Sequence, residues 1–136
     1  MEAAGEIQHV SGANHLEDIG GIVDFYQRKT GNKSVLFDDV PGCPKGFRVL
    51  MNMFAGTRRN MTLGFPDHLT KWELSDAYRE AYLAKPKIRP HEIVAHGPIL
   101  ENVKTGDAID VEKFPAPVWH EKDGGRYIGT GTFSIT

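Results

Sequence analysis

At 136 residues the chain is about one domain's worth of polypeptide, and a chain of that length can bury about two thirds of its unfolded surface, so a real core is within reach. The composition is that of a soluble globular protein, 40% hydrophobic and 25% charged, and the formal net charge of -2 comes from 16 basic and 18 acidic residues with no dense basic run, which argues against a nucleic-acid partner. The single cysteine, Cys43, rules out an internal disulfide and a Cys-rich zinc site; no apolar run approaches the ~18 residues of a membrane span, and the N-terminus lacks the plan of a signal peptide, so a cytoplasmic protein is expected.

In chain order, Met1 to Glu6 reads as a closing helical turn capped by Gly5, and Ile7 to Val10 as a short strand. Leu16, Ile19, Ile22, Val23 and Tyr26 recur at helical spacing and predict an amphipathic helix over residues 15–29, with Ser11 or Asn14 available as cap and Gly31-Asn32 as stop. Gly20-Gly21 inside it costs ~1–2 kcal/mol of helix propensity, which a close helix–sheet contact would explain. Ser34 to Phe37 is a compact apolar strand, Val40 to Gly46 a Pro/Gly loop, and Phe47 to Phe54 a second and more buried strand. Thr57 is placed to cap a short helix that carries Arg58, Arg59, Met61 and Leu63 and stops at Gly64 and Pro66. Leu69, Trp72, Leu74, Ala77, Tyr78, Ala81 and Tyr82 mark the clearest helix, over residues 69–84, with Trp72, Tyr78 and Tyr82 read as core; Pro86 ends it and residues 87–90 form a linker. Residues 92–95 predict a strand broken at Gly97-Pro98 and resumed over residues 99–103, and residues 104–107 a turn. The order of elements is that of a mixed α/β layer spanning residues 7–113, with residues 117–136 as a strand or hairpin that packs elsewhere or hangs free.

The chemistry-bearing residues are sparse. None of the six histidines pair at metal spacing on a helix, and His91 and His96 are more naturally surface residues than ligands. Cys43 has no base near it in sequence, and Arg58-Arg59 reads first as salt-bridging to local carboxylates and second as an anion contact. His120, Glu121 and Asp123 point different ways on adjacent positions and read as solvated turn charges, while Asp123-Gly124-Gly125 is a tight-turn signature. Gly129-Thr130-Gly131 puts a hydroxyl between two glycines on the strand after that turn, where another backbone or a ligand can approach closely.

The stretch "GPILENVKTGDAIDVEKFPAPVWHEKDGGRYIGTGTFSIT" closely resembles the UbiD family of decarboxylases. The matching positions are Gly97-Pro98, Glu101-Asn102, Asp110-Val111, Phe114-Pro115, Pro117, His120, Asp123-Gly124-Gly125, Tyr127-Ile128 and Thr130; upstream, "SVLFDDVPGCPKGFRVLMNMFAGTRRNMTLGF" is similar to the same family's strand, loop, strand and "GxRRxxxxLG" pattern. The resemblance implies an α/β (mixed α+β) N-terminal domain, residues 1–113, followed at residues 114–136 by a linker and the first strand of a split β-barrel flavin-binding domain. It implies a reversible, non-oxidative decarboxylase of aromatic or α,β-unsaturated acids that uses prenylated FMN with Mn2+ and K+ and works as a homo-oligomer. Thr130 would be the cofactor-binding residue, although Gly129 and Gly131 depart from relatives with bulkier neighbours. The resemblance implies that the family's metal ligands and its Glu–Arg–Glu proton-handling set fall after this strand and that the chain opens after the family's first helix, so a fragment that is inactive and retains no cofactor alone is expected. The alternative is a stand-alone structural or interaction module without catalysis.

Overall fold

A computed structural model describes residues 1–85 and 90–129. The residues expected to form the linker at 87–89, and Thr130 with the strand residues after it, lie outside the described residues.

The centre is a βαβ unit. A 3-10 turn, Glu2–Ala4, closes on Gly5 at φ 67°, the left-handed geometry that glycine takes at no steric cost. β1 (Ile7–Ser11) follows, then α1 (Asp18–Gln27), then β2 (Ser34–Asp38), which pairs in parallel with β1 in a register that sets Ile7 opposite Ser34. β3 (Val49–Met51) adds antiparallel to β2 on its other side, giving the order β1-β2-β3 with β2 in the middle. Val35 and Phe37 on β2 and Ile19 and Val23 on α1 are buried and form the core with Ala13 and Val40. Each such side chain contributes ~1.5–3 kcal/mol through removal from water.

The helices start and stop for local reasons. Asn14 organises the turn before α1: its side-chain oxygen accepts from the Leu16 N–H at 2.8 Å and its carbonyl from the Asp18 and Ile19 amides. The helix is shorter than its periodicity implied, and Gly31 at φ 67° and the Asn32 side chain, which donates to the Gln27 carbonyl, turn the chain into β2. α2 (Arg58–Thr62) ends before Gly64. α3 (Lys71–Leu83) opens on a capping box: the Thr70 hydroxyl accepts from the Glu73 N–H, and the Glu73 carboxylate accepts from the Thr70 N–H.

Four expectations are corrected. β3 is three residues long and half-exposed, because the buried strand is β2 and β3 is an edge; the extended run ends at Asn52, which takes φ 61°. Trp72, Tyr78 and Tyr82 are not core: Trp72 and Tyr82 are each 76% exposed, and Leu74 alone on α3 is buried. The spacing that marked them is genuine, but no element among the described residues covers that face. Residues 92–95 and 99–103 form no strand; the segment runs through short 3-10 turns at Pro98–Leu100, Gly106–Ala108 and Val111–Lys113. Ile93 is 89% exposed, and a run with strand-like composition stays irregular when nothing offers it a ladder partner. Residues 117–129 likewise contain no strand, and they neither pack elsewhere nor hang free: Pro115 and Pro117 are buried and Trp119 packs against the core.

Candidate functional site

The returning segment meets the α/β layer at His15. Phe114 stacks edge-on against Phe47 of the β2–β3 loop, ring centroids 5.4 Å apart. Pro115 and Pro117, unable to donate backbone hydrogen bonds, bury without leaving an orphan N–H. The Val118 N–H then donates to the His15 carbonyl at 2.9 Å. Gly20 lies directly under Trp119: a Cβ there would stand 2.3 Å from the Trp119 carbonyl oxygen, so only glycine admits this crossing. The close approach expected of the paired glycines is therefore real, but its partner is the backbone of residue 119 and not the sheet, and Gly21 faces open space.

The turn that follows is held by Asp123, whose carboxylate accepts from the Trp119 and His120 amides at 3.2 and 3.0 Å. This places His120, with its side chain 81% exposed, in the solvated role read from the sequence. Gly125 at φ 141° completes the turn, although no strands flank it among the described residues. Arg126 then reaches back: its Nη1 donates to the Glu112 carbonyl at 3.0 Å and approaches His15 Nε2 at 3.3 Å.

His15 is thus the centre of a small polar cluster, only 7% exposed. A guanidinium can only donate, so Nε2 accepts and the ring proton sits on Nδ1, which faces Cys43 Sγ at 3.9 Å. Burial first, and the Arg126 charge second, push the His15 pKa below the ordinary imidazole range; the Pro41 carbonyl opposes them weakly. Cys43, which has no neighbouring base in sequence, gains this imidazole as a spatial neighbour across 28 residues. The fold alone makes that juxtaposition, and a single sequence carries no signal for it.

A second cluster lies at the opposite edge. Arg58 is 2% exposed and donates to the Glu6 carboxylate at 3.0 Å, to the Asn52 carbonyl at 3.0 Å, and to the carbonyl and side-chain oxygens of Asn32. Of the two readings of Arg58-Arg59, the ion pair is the one the structure shows for Arg58. Beside it an open groove of ≈ 520 Å³ runs along β3, lined by Gln27, Asn32, Leu50, Asn52, Met53 and Phe54.

Thr130 lies outside the described residues. Gly129, its neighbour, sits against the Tyr127 ring, where a Cβ would come within 2.9 Å of Tyr127 Cδ2. Tyr127 and Ile128 are exposed. Among the described residues no three His, Cys, Asp or Glu side chains come together as a metal site needs, and no helix is long and apolar enough to cross a membrane. The described residues alone therefore hold no ligand set for a metal.

This arrangement is a βαβ layer with a Pro-rich segment docked across its helix. Residues 1–78 match the 3-octaprenyl-4-hydroxybenzoate carboxy-lyase N-terminal domain, and residues 92–136 match the Rift-related domain of the same family. The chain belongs to the UbiD family. It is 38% identical over 96 residues to the pyrrole-2-carboxylic acid decarboxylase of Pseudomonas aeruginosa, an alignment covering 71% of this chain and 19% of that protein. Among solved structures it resembles the vanillic acid decarboxylase of Sedimentibacter hydroxybenzoicus in the closed form, with a TM-score of 0.80 and 21% identity over 93% of this chain and 27% of that one. The open form of the same enzyme gives a TM-score of 0.74 and 23% identity over 93% of this chain and 28% of that one. The chain thus spans about a fifth to a quarter of the length of the relatives it matches.

Proposed function

We propose that the chain is the N-terminal portion of a non-oxidative, reversible decarboxylase of aromatic or α,β-unsaturated carboxylic acids. The observation that carries this is the succession of the two family segments, residues 1–78 and 92–136, in family order on one chain. It is supported by a relative named for decarboxylating pyrrole-2-carboxylic acid, whose carboxyl group sits on an aromatic ring. On this reading residues 1–113 are the N-terminal α/β unit and residues 114–136 lead into the split barrel. The complete enzyme is a cytoplasmic homo-oligomer with a small acid as substrate and no nucleic-acid partner. Bound prenylated FMN, held with Mn2+ and K+, would supply the electron sink that stabilises the carbanion left by CO2 loss. Thr130 contributes a side-chain contact to it, and the metal ligands and proton-handling residues belong to other parts of the enzyme.

The test compares two proteins, the 136-residue chain and the complete polypeptide carrying it, each supplied with prenylated FMN, Mn2+ and K+. CO2 release from pyrrole-2-carboxylate, cinnamate and hydroxybenzoates is measured against a no-protein control. Release by the complete protein and none by the chain alone is expected. A complete, cofactor-loaded protein inert toward every acid would overturn the decarboxylase reading, and turnover by the chain alone would overturn the assignment of the catalytic set to other residues.

A second reading, an interaction module without catalysis, is favoured by one feature: Ile93, Ile99, Val111 and Ile128 are all well exposed in a segment that holds only short 3-10 turns. A pull-down in which the isolated chain binds the remainder of the enzyme would assign those side chains to the enzyme's own interior; failure to bind it would favour the module.

A further inference from the structure

The polar part of the docking of residues 114–126 converges on one buried residue. His15 offers its carbonyl to Val118, its Nε2 to Arg126 and its ring to the wall formed by Gly42 and Cys43. The contacts to Arg126 and Cys43 are made by the ring, and the one to Arg126 requires it neutral. Arg126 can approach Nε2 at 3.3 Å only while that nitrogen keeps its lone pair, since a proton there would set two donors of like charge against each other. The charged and titratable groups around the ring are few. Cys43 faces it from the β2–β3 loop; Arg126 faces it from the returning segment, with Glu112 behind Arg126 at 3.9 Å; Asp18 and Asp123 are each engaged with backbone amides, of Asn14 and of Trp119 and His120. No carboxylate contacts the ring among the described residues, so a proton on His15 finds no counter-charge.

We propose that His15 is a positioning residue: as a neutral imidazole it latches the segment from Phe114 to Arg126 onto the α/β layer, and its protonation releases that segment. The latch fixes where the chain leaves Arg126, four residues before Thr130. That last consequence alone rests on the family reading; the latch needs no cofactor, and its failure is distinguishable from failure of the decarboxylase assay.

The sign follows from linkage. The docked state holds the His15 proton less tightly than the undocked state, so docking is complete above the ordinary imidazole pKa and weakens as pH falls through the lowered one, by up to about tenfold in the docking constant per pH unit between the two. The experiment uses the 136-residue chain carrying Trp72→Phe, which removes an exposed tryptophan and leaves Trp119 as the reporter. The Trp119 emission wavelength and the exchange protection of the Val118 amide are followed from pH 7.5 to pH 5, with far-UV circular dichroism to confirm that the layer stays folded. A red shift and a loss of Val118 protection together, with a midpoint below 6.5, are expected. Both transitions should vanish in His15→Gln, and in Arg126→Gln they should shrink, because removing the repulsion brings the docked pKa closer to the ordinary value and narrows the pH window. Emission and protection that do not change with pH in the wild-type chain would overturn the latch. So would a transition that persists unchanged in His15→Gln.

Discussion

Removal of Arg58 is the sharpest test of how the layer is held. Its guanidinium joins three parts of the chain: the start of β1 through Glu6, the α1–β2 turn through Asn32, and the end of β3 through Asn52. Arg58→Ala leaves the Asn32 carbonyl and the Glu6 carboxylate without these donors. Breaking a buried ion pair from one side costs ~3–5 kcal/mol. The Glu6 side chain is 31% exposed and can recover some hydration, which places the expected loss near the low end, ~3 kcal/mol. For a folded unit of this size that is a fall of roughly 12–24 °C in Tm, at ~4–8 °C per kcal/mol. Urea denaturation followed at 222 nm measures it, with Arg79→Ala as the matched control. Arg79 also pairs with a carboxylate, Asp76 at 3.4 Å, but both partners are about two-thirds exposed, so less than ~0.5 kcal/mol is expected there. A loss below ~1 kcal/mol for Arg58→Ala, or equal losses for the two variants, would refute the claim that Arg58 is a buried tie rather than a solvated charge.

The adjacent glycines of α1 should part company. Gly21→Ala, with open space at its Cβ, should stabilise the helix by ~0.5–1 kcal/mol, whereas Gly20→Ala should displace Trp119 and red-shift its emission; equal effects in thermal melts would remove the close crossing from the account. His9, hydrogen-bonded to Glu2 and near Asp38, should titrate above the ordinary 6.5 by NMR, its contribution to stability present below 6.5 and lost as pH rises through the raised value; Glu2→Gln should bring the midpoint down, and an unchanged midpoint would exclude that contact in solution. Thr70→Ala should cost ~1 kcal/mol in urea melts by removing the capping box at α3, and a neutral result would mean that α3 frays independently of its cap. In the complete enzyme, Thr130→Val should lower turnover by no more than about tenfold, the equivalent of one hydrogen bond, while Thr130→Phe should abolish flavin content measured by absorbance; wild-type flavin occupancy in Thr130→Phe would withdraw the contact.

What could be read in the sequence was what neighbouring residues decide among themselves. The parallel unit's helix, the stop at Gly31-Asn32, the short helix after Thr57 and the Asp123-Gly124-Gly125 turn are local matters of spacing, caps and positive φ, and they stand where their residues put them. Legibility failed where the outcome depends on what lies opposite. Trp72, Tyr78 and Tyr82 have the spacing of a buried face, but spacing cannot report whether a partner surface is present. Residues 92–95 have strand composition, but a strand exists only through its ladder. The His15 cluster was illegible for the converse reason. His15, Cys43 and Arg126 are separated by 28 and 111 residues along their two contacts, and only the return of the Pro115–Pro117 segment brings them together.

The parallel pairing of β1 with β2 has a consequence for the order in which the protein is made. All of β1, α1 and β2 lies within the first 38 residues, and most of the buried apolar core with it. Ribosomes add ~5–20 residues per second, so the roughly 80 residues from Asp38 to Val118 take roughly 4–16 s to synthesise. Helix formation and short-range closure are complete in microseconds to milliseconds. The residues that carry the His15 carbonyl and the bare face of Gly20 are therefore made seconds before the segment that covers them. Residues 114–126 are made after every element they dock against, so the Gly20 face stays uncovered for those seconds of synthesis.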